Sequence, residues 1–287
     1  RDVNFEWKVY ENSTPGSDNI SSASYNDYVD EPIFDIQSGF FNNSVQINLS
    51  SSDPNTEIYY TLDGSFPGVN SNYYTSPITL NETSVVRAVA ISQSSNFLSS
   101  FSETNTYFID EEHSLYVISI AGDEVDDLIN GDYGNRPIGS FEIFDQNGIL
   151  IDEAVGEFNK HGNDSWAYDQ RGLDYIIRDQ YGYNYAINDK LFTTKNRDSF
   201  QRLILKAAAN DNYPFTFGQP AHIRDSYVHS LSQIGDLRMD ERSHESCILY
   251  VNGDYWGVYD VREKVDDLDF LEYYYDQGEG YVDFLKT

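Results

Sequence analysis

The step Asn252-Gly253 separates ESCILYV (245–251) from DYWGVYDVREK (254–264), and it fixes how this part of the chain folds. A two-residue hairpin needs positive φ at both turn positions, which Asn-Gly accepts at little steric cost. The flanking runs are β-branched and aromatic, and Tyr250, Tyr255, Trp256 and Tyr259 supply a pleated surface with much area to bury. Turn chemistry of the same kind recurs at Gln146-Asn147-Gly148 and at Asp63-Gly64. A chain punctuated this way builds antiparallel sheets, with helices as additions.

The length of 287 residues suits two ordinary domains. Residues 1–30 read as a strand remnant followed by a linker. Residues 31–110 carry VQINLS (45–50), EIYYTLDG (57–64), SPITL (76–80) and VVRAVAIS (85–92), short strands at the spacing of a small antiparallel sandwich. After the acidic DEEH stretch, residues 111–287 form the second domain. There LYVISIAG (115–122) predicts a strand, and DEVDDLINGDYG a short helix with acids in its dipole-favoured first turn. Residues 139–162 predict a hairpin on Gln146-Asn147-Gly148 with a following strand, and DYIIRDQYGYNYAIND a second hairpin with Tyr181-Gly182 at its tip. RLILKAAAN predicts a buried strand. HIRDSYVHSLSQIG places Ile223, Tyr227 and Leu231 at helical spacing and stops at Gly235. The fold class is therefore α+β and β-rich.

A formal charge of −30 argues against nucleic acid as partner, because phosphate neutralisation needs clustered Lys and Arg. The acidic surface fits solubility, salt or an extracellular setting. Cys247 is the sole cysteine and sits in a strand-like, core-facing context, so it reads as a small buried hydrophobe. No apolar run approaches the roughly 20 residues of a membrane span. No signal peptide is visible, and a chain beginning at Arg1 is consistent with processing or truncation.

HGNDSWAYDQRGLDY (161–175), HIRDSYVHSL (222–231) and the hairpin NGDYWGVYDVREK together resemble the CotH kinase family, the atypical secreted kinases first associated with spore coats. The resemblance covers about 115–287 and implies a partial kinase-like α+β lobe. It implies nucleotide contacts at Gly162, Asn163 and Arg171, where backbone N–H groups beside a glycine and a nearby cation offset polyphosphate charge. The family usually has Lys where Arg171 stands, and a structural cation is the competing reading. Lys206 and Glu263 are expected either to pair, as the Lys–Glu bridge of ordinary kinases does, or to lie on a solvated sheet face. Asp225 in HIRD reads as a first-turn residue or an Arg partner, since the residue five on is not Asn. No catalytic and no metal-binding residue is assigned. The family's aspartate motifs are expected beyond Thr287, so the 287 residues are expected to be catalytically incomplete, with ATP and Mg²⁺ the cofactors of the full-length protein only.

IYYTLDGSFP with YYTSPITL and VVRAVAIS closely resembles the chitobiase/β-hexosaminidase C-terminal domain, a fibronectin-III-like module. WKVYENSTPGSDN resembles the end of a lamin-tail domain. The combination is similar to large exported proteins of Bacteroidota that leave by the type 9 secretion system. A secreted or cell-surface protein follows, acting on secreted protein substrates or carried by export and surface machinery. The alternative is a non-catalytic adhesion protein, with Tyr59, Tyr60, Tyr73 and Tyr74 offering a glycan-stacking face of at most one tyrosine from each adjacent pair. The acidic clusters at 123–127 and 266–269 lack EF-hand order and read as solvated faces, and the five histidines lack zinc spacing.

Overall fold

In a computed structural model of the chain, residues 8–10, 23–94, 96–212, 220–237 and 239–277 are described. Most of the lamin-tail-like segment and the terminal FLKT lie outside them. The chain divides into two compact units, residues 1–111 and 112–287.

In the first unit a five-stranded sheet runs in the spatial order Gly39–Phe41, Glu103–Ile109, Ser84–Ser92, Thr56–Thr61, Asn72–Tyr73. The pairings are antiparallel except that of Gly39–Phe41 with Glu103–Ile109, which is parallel and departs from the all-antiparallel expectation. Two short pairs, Val45–Ile47 with Ile78–Leu80 and Ile33–Phe34 with Leu49–Ser50, add their buried side chains to the same core. Alternation sends Val86 and Ala88 into that core and Arg87 to the opposite face. Arg87 is fully buried all the same, because the Asp63-Gly64 turn folds over it. Its Nη1 donates to Gly64 O at 2.9 Å, and its guanidinium lies 4.1 Å from the Phe66 ring.

The second unit is a closed barrel of seven strands: Tyr116–Ala121 (β1), Ile138–Phe144 (β2), Leu150–His161 (β3), Gly172–Ile177 (β4), Arg202–Lys206 (β5), His244–Val251 (β6) and Asp254–Glu263 (β7). Their order is β1-β2-β3-β4-β5-β7-β6, and a parallel pairing of β6 with β1 closes the ring. Asn252 and Gly253 take φ of 50° and 89°, as the β6–β7 hairpin requires. Alternate residues fill the interior. Tyr175 stacks on Phe141 at 4.9 Å and donates its hydroxyl to Ala154 O, with Leu203, Leu205, Cys247, Tyr259 and Val261 around it.

Among the described residues three helices accompany the barrel: Val125–Asn130 (α1), Arg224–Ile234 (α2) and Leu268–Tyr275 (α3). The hairpin expected at Tyr181-Gly182 is absent. Residues Asp179–Tyr181 form a 3₁₀ turn instead, and Ile187 makes only an isolated bridge with Phe200. Both edges of β4 are already taken, by β3 and β5, so a returning strand has nothing to pair with. Helix α2 ends at Gly235 as its sequence predicts, yet Ile223, Tyr227 and Leu231 face solvent and Ser226 and Ser232 are buried.

Candidate functional site

The loop from β3 to β4 carries the first group of expected site residues. Gly162 has φ +97°, and a Cβ there would meet Ser165 Oγ at 2.3 Å, so only glycine fits. Asn163 precedes the 3₁₀ turn Asp164–Ala167, and its carbonyl accepts from Trp166 N. Arg171 is a clamp. Its Nε donates to Trp166 O at 3.1 Å, and its Nη1 to Ile129 O at 3.0 Å and Asp169 O at 3.2 Å, tying the loop to the end of α1. The guanidinium thus donates to three backbone carbonyls.

Lys206 and Glu263 do not form the expected pair, because strand alternation separates them. On β5, Leu203 and Leu205 point inward and Lys206 outward; on β7, Tyr259 and Val261 point inward, and Glu263 shares their side. Glu263 also lies across from Leu203, near the other end of β5. There it is wholly buried, with Arg197 Nη1 3.5 Å away and the Tyr274 hydroxyl donating at 3.0 Å.

Lys206 instead meets helix α2, its Nζ 3.4 Å from Asp225 Oδ2. Arg262, 1% exposed, bridges the same Asp225 and Asp260, the latter at 2.9 Å; Asp260 also accepts from Ser246 Oγ. His229 Nε2 lies 3.9 Å from Asp225, and His229 Nδ1 accepts from Arg242 N at 3.3 Å. Burial favours the neutral carboxyl at Asp225, but the Arg262 guanidinium and Lys206 outweigh it and hold the acid at about 2. Burial lowers the Lys206 ammonium, with Arg262 adding to the shift and Asp225 opposing it. The register of β4 against β5 puts the Gly162–Arg171 loop at the same barrel end as Lys206. Nearby on this outer face, Asp174 receives Arg202 and Lys264, at 2.9 and 2.8 Å. Burial, with Lys264 beside it, pushes His161 down to about 3, so its imidazole is neutral at physiological pH.

Residues 160–282 match the CotH kinase protein family. Residues 36–102 match the chitobiase/beta-hexosaminidase C-terminal domain, so the two regions follow one another in the order their motifs imply. No curated protein matches the chain. The CotH-matching region contains Gly162, Asn163, Arg171, Lys206, Asp225, Arg262 and Glu263, whereas β1, β2 and most of β3 precede it.

ATP and Mg²⁺ are the groups such a match implies. Lys206 fits phosphate, being partly open to solvent, whereas Arg262 is buried with its terminal nitrogens held by Asp225 and Asp260. The neighbouring carboxylates do not fit Mg²⁺. Asp174, Asp225 and Asp260 are each already engaged by guanidinium or ammonium donors, and the 266–269 cluster is spent on Lys264, Arg202 and Arg197. The residue that sequence reasoning missed is Arg262. Its signal was there, a cation at the same alternation as Asp260 on an aromatic strand, but the partner on α2 is set only by tertiary packing.

Proposed function

We propose that the CotH-matching region is the nucleotide-facing part of a secreted protein kinase. In the complete protein, ATP would be the phosphoryl donor and Ser or Thr of exported proteins the acceptor. The observation that supports this reading is the Lys206–Asp225 contact, a strand lysine held by a helix carboxylate. Ordinary kinases use that arrangement to hold a lysine against the nucleotide phosphates. Lys206 would meet phosphate oxygen, Asp225 would keep the ammonium oriented, and Arg262 would set the position of Asp225. When bound, ATP supplies the γ-phosphoryl group.

Equilibrium binding of a fluorescent ATP analogue tests the reading. Saturable binding by the 287-residue chain, weakened at least about tenfold by Lys206→Met and retained in Glu263→Gln, is the expected pattern, a loss of about 1.4 kcal/mol. Equal binding by Lys206→Met, or none by the unsubstituted chain, would refute it.

A second reading belongs to the first unit. Tyr60 and Tyr74 pack against the core, which removes them from any glycan platform. Tyr73 is 52% exposed and lies 5.5 Å from Tyr59, and a cleft of about 400 Å³ lined by Asp63, Asn70 and Asn72 is open nearby in sequence. A glycan array on which Tyr73→Ala abolishes binding would support carbohydrate recognition here.

A further inference from the structure

Helix α2 is inside out. Its barrel-facing side is polar: Ser226 and Ser232 are buried, Ser230 Oγ contacts His244 Nε2 at 3.0 Å, and Asp225 reaches Arg262 and Lys206. Its outer side carries Ile223, Tyr227, Val228, Leu231 and Ile234, continued past the helix end by Leu237, and these are 46 to 83% exposed. Six such side chains present on the order of 700 Å² of apolar surface. That approaches the roughly 800 Å² that one partner gives to a standard interface, and it exceeds what monomers ordinarily leave open.

We infer that this stripe is covered by a second copy of the chain, with α2 packed antiparallel on its symmetry mate. Three features favour that occupant. The stripe runs from Ile223 to Ile234 around a centre near Tyr227, Val228 and Leu231, so a two-fold axis there places apolar residues opposite apolar residues along its whole length. The charges at its ends differ in sign: Arg224 stands at the first turn, its Nε 3.3 Å from Asp211 of the same chain and its side chain still 60% exposed, and the exposed Asp236 stands just past the last. Antiparallel pairing brings Arg224 of each copy to Asp236 of the other and sets opposite helix dipoles side by side. The net charge of −30 does not prevent this, since repulsion between distant surface charges is screened beyond about 8 Å at physiological salt.

Sedimentation velocity on the full 287-residue chain, from about 1 to about 100 µM, the range in which interfaces of this size dissociate when weak, tests the inference. A concentration-dependent species of twice the monomer mass is expected. Leu231→Glu should raise its dissociation constant at least tenfold without altering the melting temperature of the monomer at the lowest concentration, because the side chain is exposed there. Asp236→Arg should weaken the dimer, because it sets a cation opposite Arg224 of the other copy. A chain that stays monomeric at the highest concentration overturns the inference and leaves the stripe to a different partner. A dimer indifferent to Leu231→Glu and Asp236→Arg overturns it equally.

Discussion

Replacing Arg262 with methionine removes the guanidinium on which two carboxylates depend, and their surroundings set the cost. Asp260 is 2% exposed, and its described hydrogen bonds come from Arg262 Nη2 and Ser246 Oγ. Without Arg262 it remains buried with one neutral donor, and breaking a buried pair from one side costs about 3–5 kcal/mol. Asp225 adds little, because nearly half of its side chain is in water and Lys206 stays beside it. For a unit of this size the loss amounts to a fall on the order of 10 °C in Tm. Urea unfolding followed by the fluorescence of Trp166 and Trp256, both in the barrel unit, reads the effect. The companion variant is Arg262→Met with Asp260→Leu. Removing the stranded carboxylate should recover most of the loss, since apolar replacements of buried ion pairs are often neutral. If Arg262→Met costs less than about 1 kcal/mol, or if the double variant is as unstable as the single, Asp260 does not rely on Arg262 and the description of this node is wrong.

Asp225 has its acid constant lowered to about 2, so its contribution to stability is present above the ordinary carboxylate range and is lost as pH falls through about 4 towards 2. Asp225→Asn should flatten that part of the stability profile, and an unchanged slope would show that other carboxylates set it. Arg171→Lys cannot reproduce the contacts to Trp166 O, Ile129 O and Asp169 O, so a loss of about 1–3 kcal/mol is expected, with faster amide exchange confined to α1 and residues 162–171. Unchanged exchange there would remove its role as a clamp. The Cys247 thiol is fully buried and pushed up by desolvation, so a thiol reagent should label it only after unfolding. Rapid labelling of native protein would contradict the closed barrel.

Local chemistry settles much of this protein. Asn252-Gly253, Gln146-Asn147-Gly148 and the period-two runs around them specify strands and turns, because φ preferences and alternation act between near neighbours. The helix at 224–234 and its stop at Gly235 are legible for the same reason. So is the motif that places Gly162 in a loop no larger residue fits.

What the chain alone left open were choices between distant segments. Closure of seven strands depends on β6 meeting β1 across more than a hundred residues, and no pattern within either strand encodes that partner. The same limit hid the partner of Lys206. The sequence offered Glu263 or a solvated sheet face, and the outcome turns on the strand parity that sends Glu263 inside the barrel and on the packing that brings Asp225 over its outer face. Periodicity also located the apolar stripe of α2 without telling which way it would point. A stripe is a property of the helix, whereas its direction is decided by the polar contacts that Arg262, His244 and Lys206 offer from the barrel wall.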